Sequence, residues 1–208
     1  MTGYTRILAV LLAVLIGGGV GLLARLALYP SEAPIVTVLR EGAATGASLI
    51  GGPFTLVDQN GLTRQDTEFR GRLMLVYFGF TYCPDACPTS LQVMSDALDM
   101  LGNDAPRVQP ILITIDPTRD TPQRLKDYAA HFHPLLLALT GTAEQVAEAA
   151  RAYRVYYAKS AATAPEDPDY MMDHSSFIYL MGSDGKYLTH FRPDVPADRI
   201  AANLRDHL

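Results

Sequence analysis

The longest uncharged apolar run in the chain comes first. Residues 7–28 read ILAVLLAVLIGGGVGLLARLAL, and no charge interrupts 7–24. A helix crossing ~30 Å of hydrocarbon needs ~20 apolar residues. This stretch meets that length, with Arg25 near its far end, where the side chain can reach the interface. The pattern predicts a membrane anchor over residues 1–30, with the N-terminus in the cytoplasm and the rest of the chain outside. A cleaved signal peptide is the competing reading. Its apolar region would usually run only ~7–15 residues, and no small-x-small site stands out downstream. Residues 31–51, with Pro34 and the start of the Gly/Ala/Ser-rich run GAATGASLIGG, have the composition of a tether. IVTVL at 35–39 also fits an extra strand.

From residue 52 to 208 the apolar positions recur with strand or helix periods. A short strand over 54–57 is followed by the turn cluster Asp58-Gln59-Asn60-Gly61. LMLVYFGF at 73–80 and VQPILITI at 108–115 are continuous apolar runs, as in strands covered on both faces. Between them Leu91, Met94, Leu98 and Leu101 recur at helical spacing. Thr121-Pro122 opens a second helix, with Leu125, Tyr128, Ala129 and Phe132 on its inner face. Thr142 and Gln145 fit a capping box ahead of Val146, Ala149, Ala150 and Tyr153. A short strand over 155–158, a loop over 165–169, a hairpin of 175–181 and 186–191 joined through Asp184-Gly185, and a helix over 197–208 complete the pattern. Buried strands alternating with helices predict an α/β domain with a mostly parallel sheet. The order fits a thioredoxin-like fold with an added C-terminal β-hairpin.

Composition narrows the function. Of 208 residues, 49% are apolar, so the chain can bury a core and is not a disordered tail. Seventeen Lys and Arg stand against 22 Asp and Glu, net −5, with no basic cluster, which argues against nucleic acid as a partner. Two cysteines exclude a disulfide-rich scaffold and a four-cysteine zinc site.

Those two, Cys83 and Cys87, lie in Thr81-Tyr82-Cys83-Pro84-Asp85-Ala86-Cys87-Pro88, between a predicted buried strand and a helix. Ligands of open sheets collect outside the carboxyl ends of strands. Four-residue spacing sets two sulfurs on one side of a helical turn, and a helix start favours the thiolate. Such a pair can hold a soft metal or close a disulfide. As a structural disulfide it would close only a tiny loop, with a small entropic gain.

The segment Phe78-Gly79-Phe80-Thr81-Tyr82-Cys83-Pro84-Asp85-Ala86-Cys87-Pro88 resembles the signature of the Sco (SenC) proteins, membrane-anchored copper chaperones for cytochrome c oxidase assembly. The likeness continues through Gly52-Pro53-Phe54, Asp58-Gln59-Asn60-Gly61, Asp116-Pro117-Thr118-Arg119-Asp120-Thr121-Pro122, Leu139-Thr140-Gly141, Asp173-His174-Ser175 and Tyr179-Leu180-Met181. It implies Cys83, Cys87 and His174 as ligands of Cu(I) or Cu(II). The donor chemistry agrees, since two thiolates and an imidazole form a soft set that suits copper, although zinc would accept it too. It also implies cytochrome c oxidase subunit II as acceptor of copper at its binuclear site, and another periplasmic copper chaperone among the partners. The implied location is the inner membrane with the domain on the periplasmic side, or the intermembrane space in a mitochondrion.

The alternative is an enzyme. A thioredoxin-like dithiol at Cys83 and Cys87 would reduce the acceptor's cysteines before copper arrives. A thiol peroxidase fits less well, because the Cys-Pro-x-x-Cys-Pro context does not ask for one. Around the site, Asp173 is expected to orient the His174 ring or stay solvated, and Met171 and Met172 to pack against the domain. Asp116 and Asp120 fit either turn capping or partner docking. His131, His133, His190 and His207 read as ordinary surface or core residues.

Overall fold

The computed structural model describes residues 50–161 and 167–208, all within the unit 47–208. The anchor expected at 1–30, the strand alternative at 35–39 and the tether as far as residue 49 lie outside the described residues. Among the described residues no helix is long and apolar enough to cross a membrane.

Seven strands form one sheet in the order β2-β1-β5-β4-β3-β8-β9. They are β1 (Thr55–Asp58), β2 (Thr63–Gln65), β3 (Leu73–Gly79), β4 (Val108–Thr114), β5 (Leu137–Thr140), β8 (Ile178–Met181) and β9 (Tyr187–Phe191). A separate two-stranded ribbon pairs β6 (Tyr157–Lys159) with β7 (Met172–His174). Among the described residues four helices follow the periodicities of the sequence: α1 (Ala86–Asp99), α2 (Pro122–Ala129), α3 (Ala143–Ala152) and α4 (Ala197–Arg205). This is an α/β thioredoxin-like arrangement around a mixed sheet.

Every residue of β3 and β4 is buried, as their unbroken apolar runs require. Successive side chains of a strand point to opposite faces. Tyr77 accordingly meets Cys87 of α1, while Phe78 packs on Tyr153, the residue that caps α3, with ring centroids 5.3 Å apart. Each helix turns its apolar stripe inward: Leu91, Met94 and Leu98 on α1, Val146 and Ala149 on α3, Ile200 and Leu204 on α4. Edge strand β9 alternates half-buried with exposed positions instead.

The sheet is not mostly parallel. Only β3 with β4 and β4 with β5 run parallel; β1 with β2, β1 with β5, β3 with β8 and β8 with β9 are antiparallel. An apolar run reports that both faces of a strand are covered and carries no direction. Strand β8 is fully buried and antiparallel. The C-terminal hairpin β8–β9 is present, with Gly185 at φ 77° in the turn, a conformation that suits glycine.

The direction of β8 matters for function. Because β3 and β4 are parallel, the segments after both leave the sheet at the same end, where the Ile115 amide donates to the Gly79 carbonyl at 2.9 Å. Tyr77, near the end of β3, is in register with Ile178, the first residue of β8. Residues 174–177 therefore arrive beside the cysteine segment, whereas a parallel β8 would start at the opposite end.

Candidate metal centre

Cys83 and Cys87 sit where β3 gives way to α1. Cys83 is half-buried in the connecting turn, and Cys87 is fully buried in the first turn of the helix. Both are free thiols. The first amides of a helix lack partners within it. The Cys87 amide donates to Cys83 Sγ at 3.4 Å, so a sulfur takes the place that Asp85, the residue before α1, leaves open: its side chain makes no capping hydrogen bond.

His174 lies 87 residues further on, at the end of β7, and its Nε2 is 3.7 Å from Cys87 Sγ. The other ring nitrogen, Nδ1, is 3.1 Å from the Ser175 carbonyl. A carbonyl only accepts, so Nδ1 carries the proton, and in the neutral ring Nε2 turns its lone pair toward the cysteine. Asp173 plays no part in this contact. It is exposed in the ribbon opposite Ala158, and the backbone carbonyl of Ser175 orients the ring. Tyr77 and Phe80 flank the imidazole edge-on, with centroids 6.2 and 6.0 Å away.

The fit to a metal can be tested on this spacing. Sulfur at ~2.3 Å and nitrogen at ~2.0–2.1 Å from one ion, subtending about 110–120°, stand ~3.6–3.8 Å apart. The Cys87 to His174 separation falls in that interval. Among the described residues no three His, Cys, Asp or Glu side chains already form a closed ion cluster. Cys83 Sγ is engaged with the helix amide, and half-exposure leaves it room to turn. The donor set suits copper, and the arrangement is one ligand short of closure.

The thiols are electrostatically unequal. A hydrogen bond from Cys87 holds the Cys83 thiol down to about 4; burial opposes this, and His174 and the amides of Asp85 and Cys87 add to it. Cys87 moves the other way, pushed up by the adjacent Cys83 and by burial. The half-exposed sulfur ionises first and the buried one keeps its proton. Alkylation of the reduced, metal-free domain with iodoacetamide at pH 6, read by peptide mass mapping, is therefore expected to label Cys83 and spare Cys87. Equal labelling would contradict this order.

Two buried carboxylates fix the surroundings. Asp120 accepts from the Thr81 amide at 3.0 Å, the Thr81 hydroxyl at 2.5 Å and the Thr114 hydroxyl at 2.6 Å. Asp116 accepts from the Tyr170 hydroxyl at 2.7 Å and pairs with Arg119. Neither is a docking surface, because both are sequestered. The Arg119 guanidinium lies 3.7 Å from the Tyr170 ring centroid and 4.6 Å from that of Tyr82, and the Tyr82 hydroxyl donates to Asp169 at 2.7 Å. These contacts tie residues 167–170, which lead into β7, to the cysteine turn. Sequence reading missed Arg119 and Tyr170 as parts of the site, and Tyr77 as well. Met171 and Met172 pack against the core. His131 and His207 are exposed, His133 stands 3.7 Å from Asp99, and His190 stacks against Phe177. None of the four approaches the cysteines.

Comparison with known proteins places this geometry. A family model described as SCO1/SenC matches residues 42–208. An SCO2-like protein of Rickettsia conorii is 45% identical over 157 residues, spanning 76% of this chain and 76% of its own length. Among solved structures, ScoI of Bradyrhizobium japonicum with copper bound is 43% identical with a TM-score of 0.71, covering 76% of this chain and 99% of its own. BsSco, a member of the Sco family of cytochrome c oxidase assembly proteins in which a disulfide switch was identified, is 27% identical with a TM-score of 0.60, over 76% of this chain and 92% of its own. The matched span takes in every element that builds the site, from β1 to α4, and the chain belongs to the SCO1/SenC family.

Proposed function

We propose that the domain is a copper metallochaperone that carries copper on Cys83, Cys87 and His174. It delivers the metal to the binuclear copper site of cytochrome c oxidase subunit II during oxidase assembly. The observation that carries this reading is the 3.7 Å approach of His174 Nε2 to Cys87 Sγ, with the ring turned by Ser175 so that its lone pair faces the sulfur. A plain dithiol reductase has no use for that histidine. Copper-bound ScoI, 43% identical, supports the choice of metal.

Three protein donors leave a position open to an incoming ligand, as closed four-ligand structural sites do not. Transfer proceeds by ligand exchange, with acceptor thiols displacing Cys83, Cys87 and His174 in turn. Half-exposed Cys83 is the accessible sulfur and the first to be exchanged. A disulfide between Cys83 and Cys87 removes both thiolates and blocks loading, so redox state gates the cycle. Residues 1–30 hold the domain at the inner membrane, facing the periplasm, or the intermembrane space in a mitochondrion. Another periplasmic copper chaperone supplies the metal.

The unequal thiols favour a second reading, reduction of the acceptor's disulfide. The Cys83 thiolate attacks one acceptor sulfur and releases the other as thiolate. Cys87 then loses its proton and attacks Cys83 Sγ, freeing the second acceptor thiol. Two electrons pass to the acceptor, and the domain is left with a disulfide that an external dithiol must reduce.

The test loads the reduced soluble domain with Cu(I) or Cu(II), measures copper per domain, and mixes it with copper-free subunit II fragment. Stoichiometric uptake followed by the absorption of the binuclear site in the fragment is expected. A domain that takes up no copper, or never gives it up to the reduced fragment, would overturn the chaperone reading. Reduction of an oxidised fragment by the metal-free domain would then establish the alternative.

A further inference from the structure

Beneath the cysteines lies a polar contact that neither copper transfer nor dithiol exchange requires. The Tyr77 hydroxyl, within a strand whose every residue is buried, donates to Cys87 Sγ at 3.7 Å. Sulfur is a large acceptor, and that distance is within its hydrogen-bond range. Tyr77 itself is fully buried, so the hydroxyl has no water to turn to. Its ring also lies edge-on to the His174 imidazole, with centroids 6.2 Å apart. The phenol therefore links three parts of the site: the strand, the cysteine helix and the histidine segment.

The backbone is shaped to permit this reach. Tyr77 and Gly79 lie two apart on β3, on the same face of the sheet. A Cβ at Gly79 would stand 2.7 Å from Tyr77 Cε1 and 3.0 Å from Cys87 Sγ. Any other residue there would wedge between the ring and the sulfur. The missing side chain lets the ring lean along the strand until its hydroxyl meets Cys87.

Resting on the copper reading above, we propose that Tyr77 is a positioning residue that tunes the metal through the Cys87 sulfur. A hydrogen bond into a thiolate draws electron density away from the metal, and hydrogen bonding around a cysteine sulfur is one of the levers on copper potentials. Cu(II) depends on thiolate donation more than Cu(I) does. Tyr77 thus biases the site toward Cu(I) and holds the copper–sulfur bond to Cys87 weak enough for exchange. A buried tyrosine that merely needs an acceptor would leave these properties untouched.

The test compares Tyr77→Phe with wild type in the copper-loaded soluble domain. The ring and its packing stay; only the hydroxyl goes. Copper content is expected to be unchanged. The sulfur-to-Cu(II) charge-transfer band should move to longer wavelength. The ratio of Cu(II) to Cu(I) affinity should rise roughly tenfold, which is a fall of ~59 mV in a one-electron potential. Tyr77→3-fluorotyrosine keeps ring and hydroxyl and makes the phenol a stronger donor. It should move band and potential the opposite way, and it serves as the deciding variant if Tyr77→Phe fails to fold. Full copper loading with unmoved band and potential overturns the role of Tyr77 and leaves the chaperone reading intact. A wild-type domain that binds no copper overturns both.

Discussion

Replacing His174 with alanine is expected to cost the domain its Cu(II) far more than its Cu(I). Two thiolates, Cys83 and Cys87, remain, and Cu(I) is content with two soft donors in a line. Cu(II) prefers a mixed nitrogen and sulfur set in a more open geometry. Loss of an outer-shell partner typically costs 10–100-fold in metal affinity, so loss of a direct ligand should lower Cu(II) affinity on the order of 100-fold or more. Cys83→Ser and Cys87→Ser should each lose both oxidation states. Competition titrations with a Cu(I)-specific chelator and with a Cu(II) chelator separate the two quantities. Unchanged Cu(II) affinity in His174→Ala would remove this residue from the site and leave a dithiol reductase as the better account. The stability of His174→Ala should change modestly, because the ring is only part-buried and its one backbone hydrogen bond is to the Ser175 carbonyl.

How far that site could be read from the sequence depends on the range of the interactions that build it. Cys83 and Cys87 are four residues apart, and their chemistry follows from a local turn between a strand and a helix. His174 is brought in by the antiparallel pairing of β8 with β3 and by the β6–β7 ribbon, in which Tyr157 faces His174. Three-residue strands such as β2 and β7 leave no periodicity to detect. The apolar run 135–139 holds most of β5 (Leu137–Thr140), but it is short and shows no alternation that marks it as a strand. Tyr77 hides in the opposite way: inside seven buried residues a tyrosine looks like packing, and only the glycine two positions later hints that something must approach. Asp116 and Asp120 fit turn capping or partner docking in sequence, because a capping carboxylate, an exposed docking one and a buried anchoring one look the same there. The helices carry their own period, the two central strands stand out as unbroken apolar runs, and the C-terminal hairpin carries its Asp184-Gly185 turn, so these elements were legible.

Asp120 is where fold and site depend on one side chain. Asp120→Ala is expected to destabilise the domain by ~2–4 kcal/mol, because it strands the half-buried Thr81 amide and two threonine hydroxyls at once. Thr81 opens the cysteine turn, so the variant should also bind copper more weakly even where it remains folded. The pH dependence distinguishes this anchor from an ordinary stabilising carboxylate. Burial, only partly offset by the hydrogen bonds from Thr114 and Thr81, raises the Asp120 carboxyl above its ordinary 3.8. The folded state then binds the proton more readily than the unfolded state, so its contribution is full below about 3.8 and declines as pH rises through the folded value. Asp58, also fully buried, behaves oppositely. Burial raises it, but the amides of Leu62 and Asn60 and the Arg64 guanidinium together hold it below 3.8, so its contribution is present above that value and lost as pH falls through the folded one. Urea unfolding between pH 7 and 4 should therefore show the gap between wild type and Asp120→Ala widening toward acid. The gap for Asp58→Ala should hold over that range and narrow only when the titration is carried on below 3.8. If the two gaps moved together, the two carboxylates would not be in the contrasting environments their contacts describe.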